Sequence, residues 1–302
     1  MEDKKQQLFD LISCDYSQNQ VERIKEGLKQ RIKTTFRVNT LKANTEIVER
    51  ELTLNEIEYQ QDNIIHFAYH IENKYFEKLK TLDIYKNGAI YVQNISSMLP
   101  SICLGGCKKQ DVLDMCASPG GKTGLICALN ENESHLMACE INKQRYERLK
   151  YNLDKLGCKN INFMQINTLQ LDDFYRFDKI LLDAPCSGSG TLNLNETKSY
   201  NKFSLELVNR CENMQVKLLK KALSLLKKGE SMIYSTCSIL KIENENVVKQ
   251  FVDGKKYQLQ AIDFIQNNFS DNLLSSSLEN TYTICPSDLM EGFFICKIKK
   301  VA

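Results

Sequence analysis

The 302-residue chain is 42% hydrophobic and 26% charged, ordinary for a globular protein with room for about two domains. No apolar run reaches the ~18–20 residues of a membrane span, and the N-terminus MEDKKQQLFD lacks a signal-peptide core, so no membrane partner is expected. Twelve scattered cysteines without a Cys-x-x-Cys, beside only three histidines, point to reduced thiols and away from a metal site; a net charge of +2 neither announces nor excludes a nucleic-acid binder.

In chain order, residues up to about 90 read as a small α+β unit. VERIKEGLKQR is helical in pattern, TTFRVNT strand-like, NTEIVERELTLNEI helical and NIIHFAY strand-like. Within it, Arg23, Lys25, Lys29, Arg31, Lys33, Arg37 and Lys42 face one acid, Glu26, across residues 23–42. Such a run is either a solvated helix face followed by a strand or a grip for phosphates. KNGAIYVQNISSMLPSICLGG reads as a connecting segment, which divides the chain into residues 1–104 and 105–302.

From residue 105 strands and helices alternate: DVLDMC, then helical GGKTGLICALN, HLMACE, helical NKQRYERLKYNLDKLG, NINFMQI and FDKILLDAP. A long helix near 204–227, ESMIYSTC, ENENVVKQFVD, YQLQAIDFI and GFFICKIK follow. Continuous apolar strands between amphipathic helices predict an α/β fold with a mainly parallel sheet covered on both faces. Tyr146, Leu149, Leu153 and Leu156 follow helical spacing, as do Leu207, Cys211, Met214, Leu218, Ala222 and Leu225, and each set is expected to bury one helix face. Ligands of such sheets bind beyond the carboxyl ends of the strands, so MCASPGGKT, ACE, DAPC and STC should share one rim.

The segment Cys116, Ala117, Ser118, Pro119, Gly120, Gly121, Lys122 is not a P-loop, because Cys116 stands where that pattern needs glycine. It is not the dinucleotide G-x-G-x-x-G either. What remains is a strand, a tight Pro-Gly-Gly turn and a helix start, where backbone can approach a ligand closely. Glu140 ends the next strand, where such sheets hold a ribose through its hydroxyls. S-adenosylmethionine fits, since it offers ribose hydroxyls and a carboxylate but no phosphate. Cys186 in DAPCSGSG and Cys237 in YSTCS each end an apolar run. Alone, either reads as a buried thiol; the two together are either a reactive pair or two buried thiols among twelve.

VLDMCASPGGKT, FDKILLDAPCSGSG, YSTCSI and IENENVV resemble, in order and spacing, the RNA 5-methylcytosine methyltransferases of the Sun/Nop family. RVNTLK, VQNISSMLP and EGFFICKIKK extend the resemblance over about residues 35–300, and QNISSMLP and NRCENMQVKLL look most like its eukaryotic nucleolar branch. The resemblance implies an RRM-like N-terminal domain ahead of a Rossmann-like S-adenosylmethionine-dependent domain. It places the cofactor on residues 116–122, Glu140, Asn167 and Asp183, with Asn167, Glu140 and Glu291 standing where Asp is commoner. It also implies a division of labour: Cys237 as nucleophile, Cys186 as the group that completes release, and Asp183 at the N3 edge of cytosine. The RNA would be gripped by Lys29, Arg31, Lys33, Arg37 and Lys42. The expected substrate is large-subunit rRNA in a pre-ribosomal particle, with a nuclear or nucleolar location and a monomeric enzyme. A tRNA cytosine, a cytoplasmic location, a non-catalytic RNA-binding assembly factor and a Cys186–Cys237 redox protein are the alternatives.

Overall fold

The computed structural model describes residues 2–302. Its first sheet is antiparallel: β1 (Thr34–Val38), β2 (Tyr59–Gln61), β3 (Ala68–Ile71) and β4 (Ile90–Val92), in the order β2-β3-β1-β4. Helix Thr45–Leu54 starts where Asn44 accepts a hydrogen bond from the Ile47 amide at 3.0 Å, a side-chain cap on an otherwise orphaned donor. Val48 and Leu52 of that helix pack on Phe36, Val38, Tyr69, Ile71 and Ile90. Because side chains alternate along a strand, the same strands turn Thr35, Arg37 and His70 to the opposite face. That face is buried too.

It is covered by the second sheet's domain. Nine strands form that sheet: β5 (Asp111–Asp114), β6 (His135–Cys139), β7 (Ile161–Met164), β8 (Phe177–Asp183), β9 (Leu226–Thr236), β10 (Tyr257–Gln260), β11 (Leu273–Leu274), β12 (Thr281–Ile284) and β13 (Phe293–Lys300). Their order is β11-β12-β13-β9-β8-β5-β6-β7, with β10 paired to β13. The ladders from β7 to β9 are parallel. Every ladder beyond β9 is antiparallel, so the expected mainly parallel sheet is parallel in one half only. Apolar runs hide this distinction, because a strand buried on both faces looks alike in either direction. Val112, Leu181 and Ile233 enter one core, while their neighbours Leu113, Leu182 and Met232 enter the other. The sheet is therefore covered on both faces, as its sequence predicts.

Three segments depart from the sequence reading. The strand expected at NIIHFAY begins only at Ala68, because Asp62 Oδ1 accepts from the Ile64 and Ile65 amides and pins the preceding residues in a turn. KNGAIYVQNISSMLPSICLGG is no linker: it supplies β4 and helix Ile95–Leu104, whose Ile95, Met98, Leu99 and Leu104 lie in the core of the large sheet. The N-terminal helices Glu2–Asp15 and Gln18–Lys29 do not join the small sheet's core. Their Leu8, Ile12, Val21 and Ile24 pack with Leu192, Leu194, Ile239 and Leu240 near the cysteine loops. Among the expected helix faces, Leu149, Leu153 and Leu156 are buried, whereas Tyr146 is half-buried and Met214 remains 39% exposed.

Candidate active site

Parallel strands put β5, β6, β7, β8 and β9 carboxyl ends on one rim, and the expected site residues leave the sheet there. Residues 116–120 follow β5, Glu140 follows β6, Asn167 lies beyond β7, Asp183 ends β8 and Cys237 follows β9. A cavity of ≈ 380 Å³ opens between them, lined by Cys116, Ser118, Glu140, Asn167, Asp183, Cys186 and Cys237, within the range of small-ligand sites. A second cavity of ≈ 230 Å³ lies beside it and shares Cys116, Ser118 and Asp183 while adding Ala117, Pro119, Gly121, Lys122 and Glu291.

The glycine turn has a local cause. Gly120 has φ 105°, in the left-handed region where a side chain is strained, and a Cβ on it would meet Leu149 Cδ1 at 3.2 Å. At Gly121 a Cβ would come within 2.9 Å of Tyr91 Cε1. Helix Gly121–Leu129 begins there, with Thr123 Oγ1 donating to the buried Asp114 Oδ2 at 2.6 Å. Burial raises the Asp114 pKa to about 6 against the Thr123 bond, and the nearby Asp183 charge adds to the rise. Burial also pushes the Cys116 thiol far up, and the Asp114, Asp183 and Glu140 charges add to the rise.

Glu140 is buried; its Oε1 accepts from the Asn142 amide at 2.9 Å and its Oε2 lies 3.2 Å from Arg145 Nε. Arg145 also donates to the Ser118 carbonyl at 3.1 Å, joining the glycine turn to the acid. Asn167 Oδ1 accepts from the Leu169 amide at 3.1 Å, which leaves its NH₂ as the polar group for a ligand. A buried carboxylate, an amide and the apolar side chains of Ile141, Ile166, Met214 and Leu218 around one cavity fit the ribose and base of a nucleoside. Arg145 and Met214 are site residues that sequence reasoning missed. Helical spacing assigns Met214 to the core, and nothing local marks it as a pocket wall.

Lys122 reaches from the glycine turn to Asp183, Nζ to Oδ2 2.7 Å, and donates to Ser97 Oγ at 2.9 Å. Ser235 Oγ donates to Asp183 Oδ1 at 2.7 Å. Burial works against the Lys122 ammonium, but the Asp183 carboxylate outweighs it and raises its pKa. Beside this ion pair the Cys186 and Cys237 sulfurs are 3.0 Å apart, closer than two unbonded sulfurs usually pack and well beyond a ~2.05 Å disulfide. Hydrogen bonding to Cys237 and burial push the Cys186 thiol well above its ordinary range, so Cys186 keeps its proton.

The basic run is not one surface. Arg37 is fully buried, which removes it from any contact with RNA: Nε donates to Gln93 Oε1 at 2.9 Å and Nη2 to the Gly121 carbonyl at 3.3 Å. Asn39 donates to the Leu156 carbonyl at 2.8 Å, and Lys42 Nζ to the carbonyls of Asn87 (2.8 Å) and Lys155 (2.6 Å). RVNTLK is thus a bracket that fastens the small sheet to the helices behind the glycine turn. Lys29 pairs with Glu26 at 2.7 Å, Lys33 with Glu72 at 3.4 Å, and Arg31 is exposed. Among the described residues no group of three or more His, Cys, Asp or Glu could hold a metal, and no helix is long and apolar enough to cross a membrane.

The sequence matches the family described as 16S rRNA methyltransferase RsmB/F over residues 101–299. It is 34% identical over 227 residues to the human 28S rRNA (cytosine(4447)-C(5))-methyltransferase, covering 72% of this chain and 28% of that one. It is 32% identical over 225 residues to the tRNA (cytosine(72)-C(5))-methyltransferase of Pyrococcus horikoshii, covering 74% and 55%. The chain therefore spans only part of these relatives. A solved structure of a methyltransferase homolog from Pyrococcus horikoshii superposes with a TM-score of 0.79 at 29% identity, covering 93% of this chain and 90% of that one. Sequence and structure agree on a Rossmann-like, S-adenosylmethionine-binding methyltransferase fold.

Proposed function

The chain belongs to the 16S rRNA methyltransferase RsmB/F family of RNA cytosine-C5 methyltransferases, and on that premise we propose that it methylates C5 of an RNA cytosine through a transient bond from Cys237 to C6. The observation that carries this reading is the contact of the Cys186 and Cys237 sulfurs, 3.0 Å apart, on the wall of the nucleoside-shaped cavity.

Cytosine C5 is too poor a nucleophile to take a methyl group unaided. Addition of the Cys237 thiolate to C6 forms an S–C bond and shifts the C5–C6 electron pair onto C5, with charge spreading toward N3. Lys122 and Asp183 meet that edge as a donor and an acceptor already fixed by their own ion pair, so little reorganisation is needed. S-adenosylmethionine, when bound by the 116–122 turn, Glu140 and Asn167, supplies the electrophilic methyl group. The C5 proton then passes to solvent water at the open rim, its electron pair restores the C5–C6 double bond, and Cys237 leaves as the thiolate. Cys186, protonated and touching Cys237, is placed to assist that departure.

The base must be unstacked to reach the site, so the substrate is single-stranded or locally opened RNA. The strand-helix-strand-strand-helix-strand order of the small unit, with strands in the order β4-β1-β3-β2, supports an RRM-like reading of it. Its usual base-stacking face is buried here, so RNA would meet its loops and the neighbouring Lys29, Arg31 and Lys33. Large-subunit rRNA in a nuclear pre-ribosomal particle is the narrower substrate we favour, on the resemblance of QNISSMLP and NRCENMQVKLL to the nucleolar branch.

The test is a pair of variants. Cys237→Ala abolishes both 5-methylcytidine and covalent RNA adduct; Cys186→Ala stops turnover and leaves an adduct visible on denaturing gels. Adduct accumulating in Cys237→Ala instead would reverse the roles. Bisulfite sequencing of total RNA with and without the protein assigns the substrate, and loss of a tRNA mark alone would overturn the rRNA choice.

A further inference from the structure

Glu243, in the IENENVV stretch, is a carboxylate with no solvent exposure and no cation paired to it among the described residues. Its Oε1 accepts from the Ser187 amide at 2.7 Å, and its Oε2 from Ser187 Oγ at 2.5 Å and Ser238 Oγ at 2.6 Å. Gln215 Nε2 approaches Oε1 at 3.5 Å while donating to the Pro185 carbonyl at 2.9 Å. Ser187 and Ser238 are the residues immediately after Cys186 and Cys237. One buried side chain therefore ties together the two loops whose sulfurs touch, and Tyr234 fastens it from behind by donating to the Glu243 carbonyl at 2.8 Å.

Burying a carboxylate is costly, and hydrogen bonds to neutral donors offset that cost without cancelling the charge. The carboxylate takes two bonds from Ser187, beside Cys186, and one from Ser238, beside Cys237, so it is held more firmly to the Cys186 loop. The groups facing the pair are Lys122 from the glycine turn, Asp183 from β8, Cys211 from the long helix, Tyr234 from β9 and Glu243. Burial keeps Cys211 and Tyr234 neutral, with Cys211 raised to about 11, and Lys122 and Asp183 neutralise each other. Glu243 is the carboxylate among them with no cation beside it; burial raises its pKa, and the Ser187, Ser238 and Gln215 bonds work against that rise.

We propose that Glu243 is a positioning residue that sets the asymmetry of the thiol pair: it locks both loops so that the sulfurs meet, and its buried charge holds the proton on Cys186, leaving Cys237 as the sulfur that attacks. The raised pKa of Cys186, to which Glu243 contributes after the Cys237 bond and burial, agrees with this geometry. The proposal rests on the reading of Cys237 as nucleophile, but its test needs no RNA.

The intact chain is alkylated with iodoacetamide across the thiol titration range, and each cysteine is followed by peptide mass spectrometry. Cys186 is expected to resist alkylation to a higher pH than an ordinary thiol. In Glu243→Gln the midpoint of Cys186 falls by about one pH unit, roughly tenfold more thiolate at a fixed pH, while Glu243→Asp, which restores the charge, returns it toward the original. S-adenosylmethionine binding by calorimetry reports that the variants are folded. Unchanged Cys186 and Cys237 profiles in a folded Glu243→Gln overturn the proposal, as does Cys186 reacting first in the unaltered chain. Should Glu243→Gln fail to fold, Ser238→Ala decides: it removes one strut but keeps the charge, so a fall in the Cys186 midpoint there also overturns it. Absence of 5-methylcytidine with the thiol asymmetry intact would count against the proposed reaction only.

Discussion

Residues 116–122 and residues 23–42 are both short segments crowded with one kind of chemistry, and the fold treats them in opposite ways. The first keeps its neighbours together: a tight turn between a strand and a helix holds Cys116, Ser118 and Lys122 at one rim, because adjacent residues in a turn cannot separate. The second is spread over a helix, a loop and a strand, and its charges go to different surfaces. Lys29 sits in solvent beside Glu26, Arg37 is buried between the small sheet and the helix after the glycine turn, and Lys42 caps backbone carbonyls. A cluster of glycines is a statement about local backbone; a run of lysines and arginines says nothing about where each one points.

This contrast can be broken most sharply at Arg37. Arg37→Ala should cost roughly 2–5 kcal/mol of stability, by emptying a buried volume and leaving Gln93 and the Gly121 carbonyl without their donor. Denaturant midpoints measure it, and a variant of native stability with weakened RNA binding would return Arg37 to the RNA surface. The next effect belongs to the rim. The Asp114 pKa is raised to about 6, so the folded protein binds its proton more tightly than the unfolded chain does. Stability should therefore fall as pH rises from about 4 to 6, by about 3 kcal/mol from this group. Asp114→Asn should flatten that window, and an unchanged stability–pH curve would show that Asp114 does not carry it.

Glu140→Ala should weaken S-adenosylmethionine binding by about 1.5–3 kcal/mol, the worth of a hydrogen bond to a charged acceptor, with little change in folding. Calorimetry showing undiminished affinity would take Glu140 out of the site. The smallest effect on folding, within about 0.5 kcal/mol, is expected from neutralising Lys29, Arg31 and Lys33 together. That triple variant should instead weaken RNA binding and flatten its salt dependence, leaving cofactor affinity unchanged. A salt slope equal to that of the unaltered chain would place the RNA elsewhere.

Period and punctuation made most of the large sheet legible. HLMACE, NINFMQI and FDKILLDAP fold as β6, β7 and β8, and GGKTGLICALN as the helix after the glycine turn. β11 and β12 were missed, and the direction of β13 was unreadable, since pairing direction leaves no mark on a strand buried on both faces. The site divides the same way. Residues 116–122, Glu140, Cys186 and Cys237 are legible as rim residues because each stands at the end of a strand run, where a parallel sheet presents it, whereas Asp183 and Asn167 enter as site residues only through the family resemblance. The contacts of Arg145 with Ser118 and of Glu243 with Ser187 leave no such mark, because those partners are distant in sequence.

By itself, then, the sequence determined most of the alternating strands and helices from residue 105 on, which strand ends form the rim, and which thiols stand on it. These follow from side-chain periodicity and turn chemistry, which act between residues a few positions apart. Only the tertiary structure decided that Arg37, Asn39 and Lys42 fasten the small sheet to the helices behind the glycine turn and that one buried carboxylate joins the two cysteine loops. Burial and hydrogen bonding across the fold depend on which surfaces meet, and no local pattern of residues specifies that meeting.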